Sequence, residues 1–449
     1  MRLLLIFPIV LLMSNGLFAQ PNVNYNDVAV IVNDNSPVSV SIGDYFQQQR
    51  SIPVQNIIHV TAPTTEAIDS LEFEDLRLQI ETYLLTNNLA DSINYIVTTK
   101  GVPLNIVRSN CLFMPPGNPN CTSVDSELTL ILSSSSNSIS SVGQALNFYY
   151  TVNDHFDRTT YDMYLVTRLD GYTVDDVKSL IDRSGPNTNV NQASNNMVFD
   201  VSIPVVDSTY FITNVAQPAM NIAQNAGWNT ILDTDSTRLL NQDNVFTYAN
   251  ITYVVSPNSI NYGFVPASIA EIVSASSYET FDASNPSIDQ NLADLIAEGL
   301  TGGHGYLYPT YFSIILNQET LFERYIDTAS HYNLAESYYM SIPRLSWNDV
   351  VIGDPKTSIV IDNTASLNDP EKFKLSIGPN PSNGSFTVFI EDIKINSIRL
   401  IDNIGRLVYQ DDPMTSQNIK MDLNFLGSGR YIIILDTDQG HIQQPIIIE

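Results

Sequence analysis

The side chains suited to covalent chemistry are few in this chain of 449 residues: two cysteines, Cys111 and Cys121, and five histidines, His59, His155, His304, His331 and His441. The cysteines flank Leu-Phe-Met-Pro-Pro-Gly-Asn-Pro-Asn, a turn-forming run. In an oxidising compartment this arrangement predicts a local disulfide between Cys111 and Cys121, and closing a loop of that size adds about 3 kcal/mol on the chain-entropy estimate. The alternative is that one of them acts as a nucleophile. Ser274, Ser276 and Ser277 follow an apolar run that predicts a strand, and His304 stands in Gly302-Gly303-His304-Gly305, which reads as a turn. A serine activated by His304, with Glu279 or Asp282 as the orienting carboxylate, would supply the nucleophile, base and orienter that acyl transfer needs. Against this, no Gly-x-Ser-x-Gly elbow surrounds the serines, and polar loop residues capping the next helix are the plainer reading. His304 read alone is a hydrogen-bonded turn residue.

No two histidines have metal-ligand spacing, so no metal site is expected. A carboxylate-only site among Asp34, Asp125, Glu127 and Asp170 competes with a simpler arrangement in which Arg168 and Asp170 form an internal ion pair. Lys100, Asp125, Arg168 and Asp170 all fall near expected strand ends, where ligands gather on parallel sheets, and are the candidate binding residues. Asp233-Thr234-Asp235-Ser236-Thr237 opens like a calcium loop, but Arg238 follows in place of the turn glycine and no glutamate closes it. After the first strand stands Asn33-Asp34-Asn35-Ser36-Pro37 rather than a glycine-rich phosphate cradle, so no nucleotide cofactor is expected.

The elements that must position these groups alternate. Continuous apolar runs at 28–33, 56–60 and 93–98 predict buried parallel strands. Between them, 36–50 and 73–85 read as helices, the second with Leu76, Ile80 and Leu84 four residues apart. Further strands are expected at 163–168, 197–203, 251–255 and 349–352, and helices at 174–183, 216–226 and 321–340. A βαβ order of this kind implies right-handed crossovers and a mostly parallel sheet. Residues 362–369 are small and polar and read as a linker. Beyond it short strands at 374–377, 385–390, 397–401, 407–409, 431–435 and 443–448 suggest a small β-sandwich.

Residues 1–19 have the pattern of a signal peptide: Arg2, an apolar run to Met13, and a small residue at Ala19. That run is about half of the ~20 residues that span a bilayer, and no later segment qualifies, so the mature chain is expected to lack a transmembrane segment. Forty-eight acids against 20 bases give a formal charge of −28, which repels phosphate backbones and makes nucleic acid a poor partner. Hydrophobic residues at 43% are enough for a packed core rather than disorder.

The tail resembles the type A C-terminal sorting domain of the type IX secretion system. The carriers are Gly378-Pro379-Asn380-Pro381-Ser382-Asn383-Gly384, Phe386, Val388, Ile398, Leu400, Asp402-Asn403-Ile404-Gly405-Arg406, Val408, and Leu426 to Gly429 with Tyr431. The resemblance implies recognition by the type IX secretion machinery and delivery to the cell surface or medium. Related tails end in basic residues, whereas this one ends Ile446-Ile447-Ile448-Glu449. The body is similar to a little-characterised family of secreted bacterial proteins through Val28 to Pro53, Tyr95 to Pro103, Val124 to Leu128, Thr167 to Gly171, Ser276 to Phe281, Ala293 to Tyr306 and Glu336 to Pro355. More distantly its element order is similar to caspase-like cysteine peptidases of the gingipain type. There the nucleophilic cysteine would fall around Ser274 to Ser277, and no cysteine occurs beyond Cys121, so thiolate catalysis is not expected.

The expected architecture is therefore α/β, with a caspase-like, mostly parallel sheet flanked by helices over 20–361. A linker at 362–371 and a small all-β, Ig-like sandwich at 372–449 follow. Two functions remain in view: a surface or extracellular binding domain without catalysis, or a hydrolase using Ser276 or Ser277 with His304.

Overall fold

The run Val28-Ala-Val-Ile-Val-Asn forms strand β1 (Val28–Asn33), buried along its whole length. Its alternate residues face opposite ways. Val28, Val30 and Val32 join a core that includes Ile42 and Phe46 of helix α1 (Pro37–Arg50). Ala29 and Ile31 join a second core with Phe73, Leu76, Ile80 and Leu84 of helix α2 (Ser70–Thr86). One helix on each face is what a strand apolar on both sides requires. Both helices are capped by the residue types that satisfy free N–H groups. Ser36 accepts from the Ser39 N–H ahead of Pro37 in the first turn, and Asp69 forms a reciprocal pair with Glu72.

The computed structural model describes residues 23–107, 121–134, 145–203, 205–235, 237–252, 261–274, 279–284, 291–308, 315–361, 375–390, 395–402, 406–411, 418–437 and 440–449. They divide into two compact units, separated between residues 361 and 362. In the first, β1 is flanked by β2 (Ile57–Val60) and β3 (Tyr95–Thr99), and β4 (Leu165–Leu169) pairs with β3, all parallel. A second parallel run is built from β5 (Asn196–Ser202), β6 (Asn229–Asp233), β7 (Val245–Thr252), β8 (Phe264–Ser274) and β9 (Gly302–Tyr306). Strand β10 (Asp349–Gly353) joins the runs: it is antiparallel to β9 and meets β4 at one pair, Ile352 with Arg168. The outcome is a ten-stranded mixed sheet of order β6-β5-β7-β8-β9-β10-β4-β3-β1-β2. Lys100, just after β3, donates to the Phe281 carbonyl beyond β8, so the carboxyl ends of both runs share one edge.

The segment read as a glycine turn is a strand. Glycine is needed in β9 because its neighbours press in: a Cβ at Gly302 would lie 2.3 Å from Leu334, at Gly303 2.4 Å from Leu292, and at Gly305 2.5 Å from the Glu279 carboxyl. The long helix expected at 321–340 is two, Gln318–Tyr325 and Leu334–Tyr339. His331 between them has φ +56°, and Asn333 with Glu336 forms a capping box that starts the second. The first unit closes on itself through Asp354, beyond β10. Its carboxylate accepts from the Tyr25 hydroxyl at 2.8 and 2.9 Å and pairs with Arg50 at 2.6 Å. Lys356 in turn reaches the Asn24 carbonyl and the Asp27 carboxylate.

The second unit holds a three-stranded antiparallel sheet, β11 (Leu375–Gly378), β12 (Ser385–Ile390) and β15 (Asn418–Asp422), the last missed in the sequence. A four-stranded one contains β13 (Ile395–Asp402), β14 (Leu407–Asp411), β16 (Gly429–Thr437) and β17 (Gly440–Ile448). Alternate residues from both sheets, among them Phe386, Val388, Ile398, Leu400, Ile433 and Leu435, make one apolar cluster.

Candidate functional site

Four loops leaving the shared carboxyl edge of the sheet enclose a cleft of about 550 Å³. After β1 comes Ser36 with Val38; after β2, Thr64, Thr65 and Glu66; after β3, Lys100 to Val102 with Leu104; after β4, Asp170 and Tyr172. Phe281 and Asp282, beyond β8, form the remaining wall. Gly101 has φ +97°, and a Cβ there would meet the Ser36 hydroxyl at 2.2 Å, so this turn needs glycine twice over.

Lys100 and Asp170 line this cleft, and Asp125 and Arg168, which do not, come together with them. Arg168, fully buried at the end of β4, grips Asp125 through Nε at 2.7 Å and Nη2 at 2.9 Å. Asp125 is brought there by helix α3 (Val124–Leu128) and also accepts from Thr98. The remaining donors of Arg168 go to the Val102 and Pro103 carbonyls at 2.9 and 2.7 Å and to Asp170 at 3.4 Å. All five guanidinium N–H groups are thus engaged. The main ion-pair partner of Arg168 is Asp125, and the expected pair with Asp170 is the longer contact. Burial disfavours the Arg168 charge, but the Asp125 and Asp170 carboxylates more than offset it and raise its pKa. Lys100 Nζ lies 3.2 Å from Asp170 and 2.8 Å from the Phe281 carbonyl. Glu66, absent from the sequence reading, accepts from the Thr280 hydroxyl and the Phe281 N–H at 2.7 and 2.6 Å. Burial is the chief cause that raises its pKa.

His304 lies elsewhere, in the middle of the sheet on β9 and fully buried. Nδ1 sits 2.7 Å from Glu271 on β8 and Nε2 3.1 Å from Asp349 on β10, with the Tyr306 ring edge-on at 4.8 Å. Burial alone would lower its pKa, but the two carboxylates push it up to about 10, while burial raises the pKa of Glu271 beside it. Ser274, at the end of β8, is buried, while Ser276, Ser277 and Cys111 lie outside the described residues. Glu279 is buried, accepts from the Leu292 N–H, and has a pKa pushed by burial to about 8. Asp282 is exposed and bonded to Ser284. Of the carboxylates weighed as a metal site, Asp34 pairs with His59 at the surface and Glu127 accepts from Ser346. Among the described residues no group of three or more His, Cys, Asp or Glu could hold a metal ion.

Residues 376–449 match the family described as secretion system C-terminal sorting domain. The second unit is therefore a sorting domain of the type IX secretion system, recognised by that machinery, and the protein is secreted or displayed at the cell surface. No curated protein matches the chain. A solved structure described as "Structure of Protease" aligns over 94% of this chain and 97% of its own at 10% identity, with a TM-score of 0.38, too low to carry an argument. Among the described residues no helix is long and apolar enough to cross a membrane.

Proposed function

We propose that the exported body is a caspase-like α/β domain that binds a ligand in its carboxyl-edge cleft without catalysing a reaction on it. The sorting unit is read as an Ig-like sandwich and residues 1–19 as the signal peptide that starts export. The observation that carries the reading is the placement of His304. Both of its ring nitrogens are occupied, by Glu271 and by Asp349, and the ring is shut off from solvent, so neither nitrogen is presented to a serine as a base. The charged groups lining the cleft support it too: Lys100 is engaged by Asp170 and the Phe281 carbonyl, and Glu66 by the Thr280 hydroxyl and the Phe281 N–H, rather than standing free as acid, base or nucleophile.

A panel of ester and peptide substrates offered to the full-length chain and to the Ser276→Ala/Ser277→Ala variant tests this. No turnover by either is expected. Turnover by the parent that the double variant abolishes, with its tryptophan fluorescence unchanged, would overturn it in favour of a serine hydrolase.

A further inference from the structure

We propose that the outer face of α2 docks a basic amphipathic helix of another protein. Leu71, Leu78 and Leu85 are 80%, 53% and 53% exposed and stand seven residues apart on this helix. Seven residues fall about 20° short of two full turns, so the three make one row on one face. The buried residues Phe73, Leu76, Ile80 and Leu84 occupy the opposite face, where they join the core with Ala29 and Ile31 of β1. A single exposed leucine is ordinary, and leucine favours helices. Neither fact puts every exposed large apolar residue of α2 in one row, with polar residues at its other outward positions. The leucines are about 10 Å apart along the axis, and a helix laid alongside offers apolar residues at that same repeat, which the two-residue period of an extended segment does not.

The flanks set the charge of the partner. Glu74 and Glu81 run along one side of the row and Asp75 along the other, each three or four residues from two of the leucines. Arg77 pairs with both glutamates and so offsets one of these three charges. Asp75 has no cationic partner among the described residues; its hydrogen bond comes from the Gln79 amide. A second copy of the chain fits poorly. Antiparallel pairing centred on Leu78 sets Asp75 across from Glu81, parallel pairing sets each acid against itself, and each chain carries a formal charge of −28. Lysine or arginine one turn from the partner's own apolar row meets Asp75 and the glutamates instead. One helix face is a small contact, so the complex is a weak and reversible one.

Fluorescence anisotropy with the full-length chain at about 150 mM salt provides the test. The probe is a labelled synthetic helix three heptads long, with one leucine per heptad, lysine three and four residues from each leucine, and alanine elsewhere. One control peptide carries glutamate for lysine, the other serine for leucine. The lysine peptide should bind and neither control should. Leu78→Ser should weaken binding about tenfold and Asp75→Lys about fivefold. Leu71→Ser/Leu78→Ser/Leu85→Ser should abolish it, with a urea midpoint near that of the parent showing that the fold is kept. No binding by the lysine peptide overturns the proposal, as does binding that Leu78→Ser and the triple variant leave unchanged, which is diffuse attraction to an acidic surface. Glutamate peptide binding as tightly as lysine peptide overturns the basic class of partner. Sedimentation of the parent as a dimer and the triple variant as a monomer would assign the row to a second copy. Flotation of the parent, but not the triple variant, with phosphatidylcholine vesicles would assign it to a lipid surface, and either result overturns the proposal.

Discussion

Replacing Arg168 by Met should be among the most damaging single changes in the first unit. The guanidinium is fully buried and spends five N–H groups on two carboxylates and two carbonyls. Its loss leaves Asp125, 2% exposed, with the Thr98 hydroxyl as its one remaining side-chain hydrogen-bond donor among the described residues. Breaking one side of a buried ion pair costs about 3–5 kcal/mol, most of it the stranded charge. Arg168→Lys keeps the charge but has three donors and no fork, so it should cost less, about 1.5–3 kcal/mol, the value of a hydrogen bond to a charged group. Arg168→Met/Asp125→Leu removes both charges and should be less destabilised than Arg168→Met alone. Urea unfolding followed by tryptophan fluorescence reads this cleanly, because Trp228 and Trp347 are the only tryptophans and both are buried in the first unit. An Arg168→Met variant within about 1 kcal/mol of the parent, or a double variant as damaged as the summed singles, would refute the account of this network.

Other outcomes follow from the same geometry. Glu279 has a folded pKa of about 8 against 4.5 unfolded, so its contribution to stability is complete below 4.5 and lost as pH rises through about 8. Glu279→Gln, which keeps an acceptor for the Leu292 N–H, should flatten the fall in thermal stability between those limits; an unchanged profile would contradict the assignment. His304→Gln removes the ring that both Glu271 and Asp349 contact and should cost about 3–5 kcal/mol at neutral pH in the same urea assay, whereas a near-neutral effect would show that this buried cluster is not needed. Deleting residues 370–449 should leave the body in the periplasm on cell fractionation, and undiminished surface delivery would argue against sorting through the second unit. Denatured, unreduced protein should present no free thiol to a thiol reagent if Cys111 and Cys121 are bonded, and two reactive thiols would exclude the bridge.

Much of the sheet was legible because its strands are buried on both faces and so read as unbroken apolar runs. Val28–Asn33 is the plainest case, and Leu76, Ile80 and Leu84 gave the helix that covers one side. The signal failed where tertiary contact sets the residue type. The glycines of β9 look like a turn in isolation, yet they are strand residues because Leu334, Leu292 and Glu279 occupy the space a side chain would need. For the same reason His304 read as a loop residue, since nothing local reveals that Glu271 and Asp349, 33 and 45 positions away, close on it. At the cleft, Lys100, Arg168 and Asp170 were found because they follow apolar runs directly. Glu66 lies six residues past β2, so spacing gave no hint of it, and Asp282, eight past β8, was read only as an orienting carboxylate for a serine and not as part of this cleft.

The position of β10 sets an order of assembly. It is the last strand of the ten to be synthesised, yet it lies between the two parallel runs, and residues 354 and 356 just beyond it fasten to Tyr25, Arg50 and Asp27. Until it arrives, β4 and β9 are bare edges, each able to pair with a stray strand from another chain. A nascent or truncated chain ending before residue 349 is therefore two unjoined half-sheets with sticky inner margins, and such species are prone to aggregate. Export of the body in an unfolded state would postpone this hazard, since the wedge and both halves then become available together.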